Sequence, residues 1–345
     1  MMLNKNLERL YAESIHVGHG YDSGYLKKIT FLVIGFIFCF FQKLSAQQLP
    51  LFTQYRENTG LLNPAALEPD YLGYGNNFTV GASYRSQWDG LSGAPKTMTL
   101  RATYFADDYA GVTMMGGGYL VRDQTGPLSF TGAYGRIAGV ITSDPTQGGV
   151  ILGLTAGLVQ FGVNSDNVVV RDKTDDLAAA NQNQLFPDVG VGIYAYKYIS
   201  TGRTGSSYIY GGASIPQVLG LNLNYKANAG DYYLQRVRHI YGLLGMYMFF
   251  DDNSFIEPSV WVKYVPNTPV NVDVNLRYQL PGSLWIGTGG STAGTLHLEA
   301  GVLLGENLGL NNSIRIGYGY DYSFRTFGPF VGGGHEINIS YSLNK

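Results

Sequence analysis

Past residue 46 the sequence holds His239, His297 and His335, the side chains most able to serve an acid–base or metal-binding role at neutral pH. His297 and Glu299 lie two apart, so on a strand they share one face and could act as an acid–base pair. Hydrolysis at that spot needs a nucleophile within hydrogen-bond reach, and none accompanies them. His335-Glu336 begins like a zinc-protease helix, but Ile339 stands where the second histidine is required. There is no Gly-x-Ser-x-Gly elbow and no phosphate-cradling glycine loop. Gly332-Gly333-Gly334 reads as a hairpin turn. The one cysteine, Cys39, falls in a segment expected to be removed, which excludes disulfides and thiolate metal sites from the rest. No catalytic residue, cofactor or metal is expected.

The charged residues carry more information as a set. Arg85, Arg101, Asp273, Arg277, Glu299, Arg315, Asp321 and Glu336 all fall on the polar side of alternating segments. The clearest segment runs from Val270 to Leu280, where Val270, Val272, Val274, Leu276, Tyr278 and Leu280 alternate with Asn271, Asp273, Asn275, Arg277 and Gln279. Successive strand side chains point to opposite faces, so one face is apolar and the other polar. Roughly fourteen such segments follow one another, an even number as bacterial single-chain barrels require. They lie near 77–86, 96–105, 111–121, 127–137, 149–161, 189–198, 207–215, 239–250, 255–265, 270–280, 284–290, 295–304, 313–322 and 335–343.

Composition supports a barrel over a soluble sandwich. Charged residues make up 14% of the 345, whereas a soluble surface would carry more Lys and Glu on its polar faces. Gly at 47 and Tyr at 27 suit a wall with one lipid side and one tightly packed side, and aromatics near strand ends suit an interface girdle. The net charge of -2 gives no basic surface for nucleic acid. Lys27 and Lys28, the apolar run Ile29 to Phe41 and the small residues before Gln47 read as an export signal cut after Ala46. That run is shorter than the roughly 20 residues a membrane helix needs. The expected organisation is an extension plus signal peptide over 1–46, a periplasmic N-terminal segment over 47–76, and an antiparallel up-and-down transmembrane barrel over 77–345. Residues 47–75 lack strand periodicity and are expected at the periplasmic mouth or in the lumen. Both termini would then be periplasmic, and the longest connections, 162–188 and 216–238, extracellular. Inward charges in a narrow barrel must pair, so a filled lumen is expected.

Several motifs resemble one family. Phe52-Thr53-Gln54-Tyr55 is followed by Asn63-Pro64-Ala65-Ala66. Next come Tyr84-Arg85-Ser86-Gln87-Trp88-Asp89-Gly90 and Gly93-Ala94-Pro95-Lys96-Thr97, then Glu257-Pro258-Ser259. Near the end stand Gly317-Tyr318-Gly319-Tyr320-Asp321 and His335-Glu336-Ile337. Together they are similar to the PorP/SprF family of Bacteroidetes outer-membrane proteins, associated with type IX secretion and gliding motility. The resemblance implies a non-enzymatic accessory barrel with two kinds of partner. One is a periplasmic OmpA-like peptidoglycan-binding protein. The other is a secreted surface protein carrying a type IX C-terminal domain. Segment 47–75 and the periplasmic turns would meet the first; the long loops, with Tyr225, Tyr232 and Tyr233, would meet the second. Those tyrosines suit an aromatic girdle equally well. The alternative is a porin or selective channel, which needs a continuous water path through the lumen.

Overall fold

The computed structural model describes residues 52–106, 113–164, 182–200, 206–219, 222–227, 230–235, 237–305, 309–310, 312–324 and 330–343. The export signal, Lys27, Lys28 and Cys39 lie outside them. Strand β1 (Phe78–Ser86) opens a closed antiparallel barrel and β16 (Gly334–Leu343) closes it. Between them run β2 (Lys96–Ala106), β3 (Thr113–Thr125), β4 (Leu128–Asp144), β5 (Gly148–Val163), β6 (Gln182–Ser200) and β7 (Ser206–Ile215). The second half comprises β10 (Ile240–Phe249), β11 (Phe255–Tyr264), β12 (Asn271–Gln279), β13 (Leu284–Ser291), β14 (Thr295–Leu304) and β15 (Asn312–Ser323). A separate hairpin, β8 (Asn222–Ala227) with β9 (Gly230–Gln235), stands between β7 and β10, which pair directly. Fourteen strands therefore form the wall.

Alternation sets the two faces. On β2, Thr97, Thr99, Arg101 and Thr103 are buried inward, while Met98, Leu100 and Tyr104 face out at 40–50% exposure. Leu152, Leu154 and Leu158 of β5 and Leu296 and Leu298 of β14 repeat the pattern outside. An outer surface of large aliphatic side chains around a polar interior suits lipid rather than water. Closure leaves no ladder edge in the hydrocarbon, which is what makes a sheet tolerable there.

Two sequence readings need revision. Strand β6 begins at Gln182, so the loop expected over 162–188 is shorter. Asn183 to Asp188 hides its alternation behind polar residues and Pro187, yet Phe186 and Asp188 point in and Leu185 points out. Pro187 is accommodated because it precedes Val191, where pairing with β7 starts. The second narrows the expectation for 47–76, placed at the periplasmic mouth or in the lumen: of its described part, Phe52 to Asp70 are all buried inside the barrel. The segment forms a 3-10 turn (Tyr55–Asn58), a single helical turn α1 (Thr59–Leu62) and a short helix α2 (Pro69–Tyr74), ended by Gly75 at φ 72°.

Its direction follows from its contacts. Phe78 of β1 pairs with Leu343 of β16, so both ends of the sheet share one mouth, here called the near mouth. Asn76 bonds Ser313 there. Thr53 instead bonds Asp321 and Glu336, beside Ser323 and Gly334 at the far mouth. The plug thus descends from the far mouth to the near one before entering β1. The described plug therefore starts at Phe52 toward the far mouth, whereas β16 ends at Leu343 at the near mouth. The physical reason is charge: the inward carboxylates and arginines find partners on this segment.

Candidate functional site

The filled lumen is built by one buried residue after another on the plug, each met by a different strand. At the far mouth the Thr53 amide donates to Glu336 Oε2 at 2.7 Å, and its hydroxyl to Asp321 Oδ2 at 2.6 Å. Arg85 ties both carboxylates together, 2.5 Å from Asp321 and 3.3 Å from Glu336, and also donates to Thr53. Next, the Tyr55 ring stacks on Trp261 at 5.0 Å, and its hydroxyl meets Ser259 Oγ at 2.5 Å. Arg56 lies between Glu257 at 3.1 Å and Glu299 at 3.2 Å. Pro258 has no N–H, and the β10–β11 ladder is interrupted at Glu257 and Pro258. Glu257 there is ion-paired with Arg56 and accepts from the Tyr210 hydroxyl at 2.6 Å.

Below this level runs a chain of alternating charge. Arg136 meets Glu68 at 3.3 Å, and Glu68 meets Arg101 at 3.6 Å. Arg101 meets Glu57 at 3.2 Å, and Glu57 meets Arg315 at 2.7 Å. Arg315 ends the chain on Asp70, which also accepts from Ser342. Arg277 reaches Glu57 at 3.7 Å while lying over the Trp285 ring at 4.4 Å. Every carboxylate of this zipper is on the plug and every arginine on the wall. Such pairs repay their desolvation only when the geometry is fully satisfied, so they specify one seating of the segment more than they add net stability.

A bend at Asn63-Pro64-Ala65 carries the plug across the lumen. The Asn63 side chain accepts from the Ala65 amide at 2.9 Å and donates to the Ile193 carbonyl at 3.0 Å. Arg136 donates to the carbonyls of Pro64 and Ala66. The slot that receives the bend is lined by Gly153, Gly192 and Gly212; a Cβ on Gly153 would sit 2.5 Å from the Ala65 nitrogen and overlap Pro64.

The motif residues sort into three places. Tyr55, Asn63 and Pro64 belong to the plug, and Arg85, Gly317, Asp321 and Glu336 form the wall against it; a Cβ on Gly317 would strike Gln54. Gln87, Trp88, Pro95, Lys96 and His335 shape the far mouth. The Gln87 amide donates to Pro95 O at 2.9 Å, and Trp88 takes φ 48°. The Gly90 amide donates to Val331 O at 3.1 Å, and His335 faces Asp89 at 3.2 Å, clamping this loop to the one before β16. Tyr84 and Tyr318 point outward, and Tyr318 meets His335 at 2.6 Å while Tyr320 packs its ring against it at 5.3 Å. Tyr225, Tyr232 and Tyr233 lie on the β8–β9 hairpin, where Tyr225 pairs with Tyr232; their side chains are outside the described part. His297 and Glu299 do not act together: His297 meets Asp321 at 2.6 Å and Glu299 meets Arg56. Sequence reasoning missed Arg56, Glu57, Glu68, Asp70 and Arg136. The available signal was that four charged residues, Arg56, Glu57, Glu68 and Asp70, crowd a short aperiodic stretch.

A family described as "Type IX secretion system membrane protein PorP/SprF" matches residues 44–341. No curated protein sequence matches the chain. Among solved structures, the P. putida toluene transporter TodX is 11% identical at TM-score 0.47, over 84% of this chain and 94% of its own. The translocator domain of the autotransporter NalP from Neisseria meningitidis is 12% identical at TM-score 0.46, over 80% and 91%. The β domain of the Bordetella autotransporter BrkA is 11% identical at TM-score 0.39, over 78% and 99%.

Proposed function

Because this chain belongs to the PorP/SprF family of type IX secretion system membrane proteins, we propose that it serves as a non-enzymatic outer-membrane anchor for that system. In this reading it holds or helps deliver a secreted surface protein and links it to a periplasmic peptidoglycan-associated partner. The observation that carries the reading is the plug. A segment latched by buried ion pairs runs through the lumen from far mouth to near mouth, which favours a barrel closed at rest over an open channel. Binding then falls to the ends and loops, which a rigid barrel holds in place. The near mouth, where an even-stranded sheet begins and ends, is the periplasmic side in this reading. Its turns at Pro145–Gln147 and Phe250–Ser254 are firmly built: Tyr196 and Tyr208 each bond the first at 2.7 Å, and Asp252 accepts from Ser254 in the second. They would meet the OmpA-like partner. The far mouth, with the β8–β9 hairpin and Tyr225, Tyr232 and Tyr233, would meet the client's type IX C-terminal domain.

A mild-detergent pull-down of the tagged full-length protein from native outer membranes, read by mass spectrometry, tests this. The expected result is recovery of a periplasmic peptidoglycan-binding protein together with a large secreted surface protein. The wild-type barrel in a planar bilayer should stay closed. If it comes down alone and conducts ions without any change to the plug, the channel reading replaces the anchor.

A further inference from the structure

The inward charges of the wall divide by where their partners lie: Glu257 and Glu299 pair with Arg56 of the plug, and with it displaced they flank Arg277, which stands across the ladder from Glu257 and, through Gly287, from Glu299. Arg85 is paired with Asp321 and Glu336, and Lys263 with Asp273 at 2.5 Å, all of them on strands. These pairs survive whether or not the plug is seated. Arg101, Arg136 and Arg315 differ: among the described residues, their carboxylate partners are Glu57, Glu68 and Asp70, all on the plug. Arg277 keeps Glu257 and Glu299 as neighbours on the wall. With the plug displaced, three guanidinium groups would remain on one arc of the wall without counter-charge.

The register places them close together. Arg101 pairs with Gly81, Gly81 with Ser340, and Ser340 with Arg315, so two small residues separate the two arginines along one row. On the other side, Gly117 joins Thr103 to Arg136, one inward position along β2 from Arg101. The missing side chain of Gly81 is the space the Arg101 guanidinium occupies. Guanidinium groups do not lose their proton in proteins, and their planar fork matches carboxylate and phosphate oxygens. An arc of them inside a narrow low-dielectric lumen demands anions.

We propose that Arg101, Arg136 and Arg315 form an anion-binding constriction whose resident ligands are the plug's own carboxylates, and that the barrel with its plug displaced conducts anions in preference to cations. The plug is then both stopper and stand-in ligand. This rests on the reading of the native barrel as closed, and the wild-type bilayer recording described above examines that separately.

The test places a site-specific protease sequence between Gly75 and Asn76, where the plug leaves the lumen. The folded full-length protein is cut in detergent and the plug stripped with urea. Mass spectrometry verifies its loss, and heat-modifiable migration on a gel verifies the barrel. Bilayer recordings under a KCl gradient should show open steps whose reversal potential shifts toward the chloride equilibrium value. Inorganic phosphate should reduce the chloride current. R101Q/R136Q/R315Q in the same background should move the reversal potential away from chloride. A plug-free barrel that reverses at zero or toward potassium, or that passes no current, overturns the proposal. If cutting destroys the barrel, the uncut G153V/G192V protein, whose slot no longer accepts the bend, gives the same readouts with the same meaning.

Discussion

Replacing Glu57 with alanine will unseat the plug while leaving the barrel folded. Glu57 is the centre of the charge zipper, facing Arg315 at 2.7 Å, Arg101 at 3.2 Å and Arg277 at 3.7 Å. Removing one partner of a buried pair costs about 3–5 kcal/mol, because the remaining charge stays buried and unpaired. Here three guanidinium groups lose the same partner. A shift of that size lowers the seating equilibrium constant by about two to four powers of ten. The wall strands keep their ladders, since Glu57 is in none of them. The measurement is trypsin cleavage after Arg56, whose side chain is 3% exposed in the seated plug. Wild type should resist, and E57A should be cut while retaining heat-modifiable migration. E57Q should fall between them, since an amide keeps the shape but not the charge. Removing Arg315 as well should recover part of the loss, with a coupling of about 0.5–3 kcal/mol between the two positions. If E57A resists trypsin as wild type does, the zipper does not hold the plug.

That outcome bears on how much of the molecule the sequence alone could reveal. The wall was legible almost strand by strand because period two is a property of each segment by itself. Val270 to Leu280 announces its faces without reference to any neighbour, and the structure pairs it on both sides as a wall strand. Arg85, Arg101, Arg277, Arg315, Asp321 and Glu336 were placed inward by the same rule, and all are buried. Their partners were not legible. Alternation says which way Arg315 points but not that it will meet Asp70, far away in sequence on a segment with no period at all. The lumen segment follows the wall rather than any repeat of its own, so Phe52 to Asp70 reads as irregular chain until the cavity that shapes it is known. The sequence pattern understates the ends of β4, β5 and β6 for a related reason. Beyond the lipid band the demand for an apolar outer face lapses, and residues such as Asn183 and Gln184 alternate without showing it.

The same reasoning makes the Gly153 slot a sharper probe of the plug than any charge. Charges in a lumen can recruit water or salt, so a broken pair has partial remedies. A backbone overlap has none short of moving the chain. A side chain on Gly153 would enter the space held by Pro64 and Ala65, and one on Gly192 would enter that of Asn63. Overpacking of this kind costs about 1–3 kcal/mol per site where neighbours can shift. The Asn63-Pro64-Ala65 bend has little freedom to shift, because Asn63 bonds its own turn and the wall at once. G153V/G192V should therefore displace the plug as fully as loss of Glu57, raising trypsin cleavage at Arg56 and bilayer conductance together. Gly139 supplies the control: it is exposed on the outer wall of the adjoining β4, and a Cβ there meets nothing within 4 Å. G139V should behave as wild type in both assays. If G153V/G192V leaves the plug protected, the bend does not occupy that slot. If G139V also opens the barrel, the effect belongs to the strands and not to the plug.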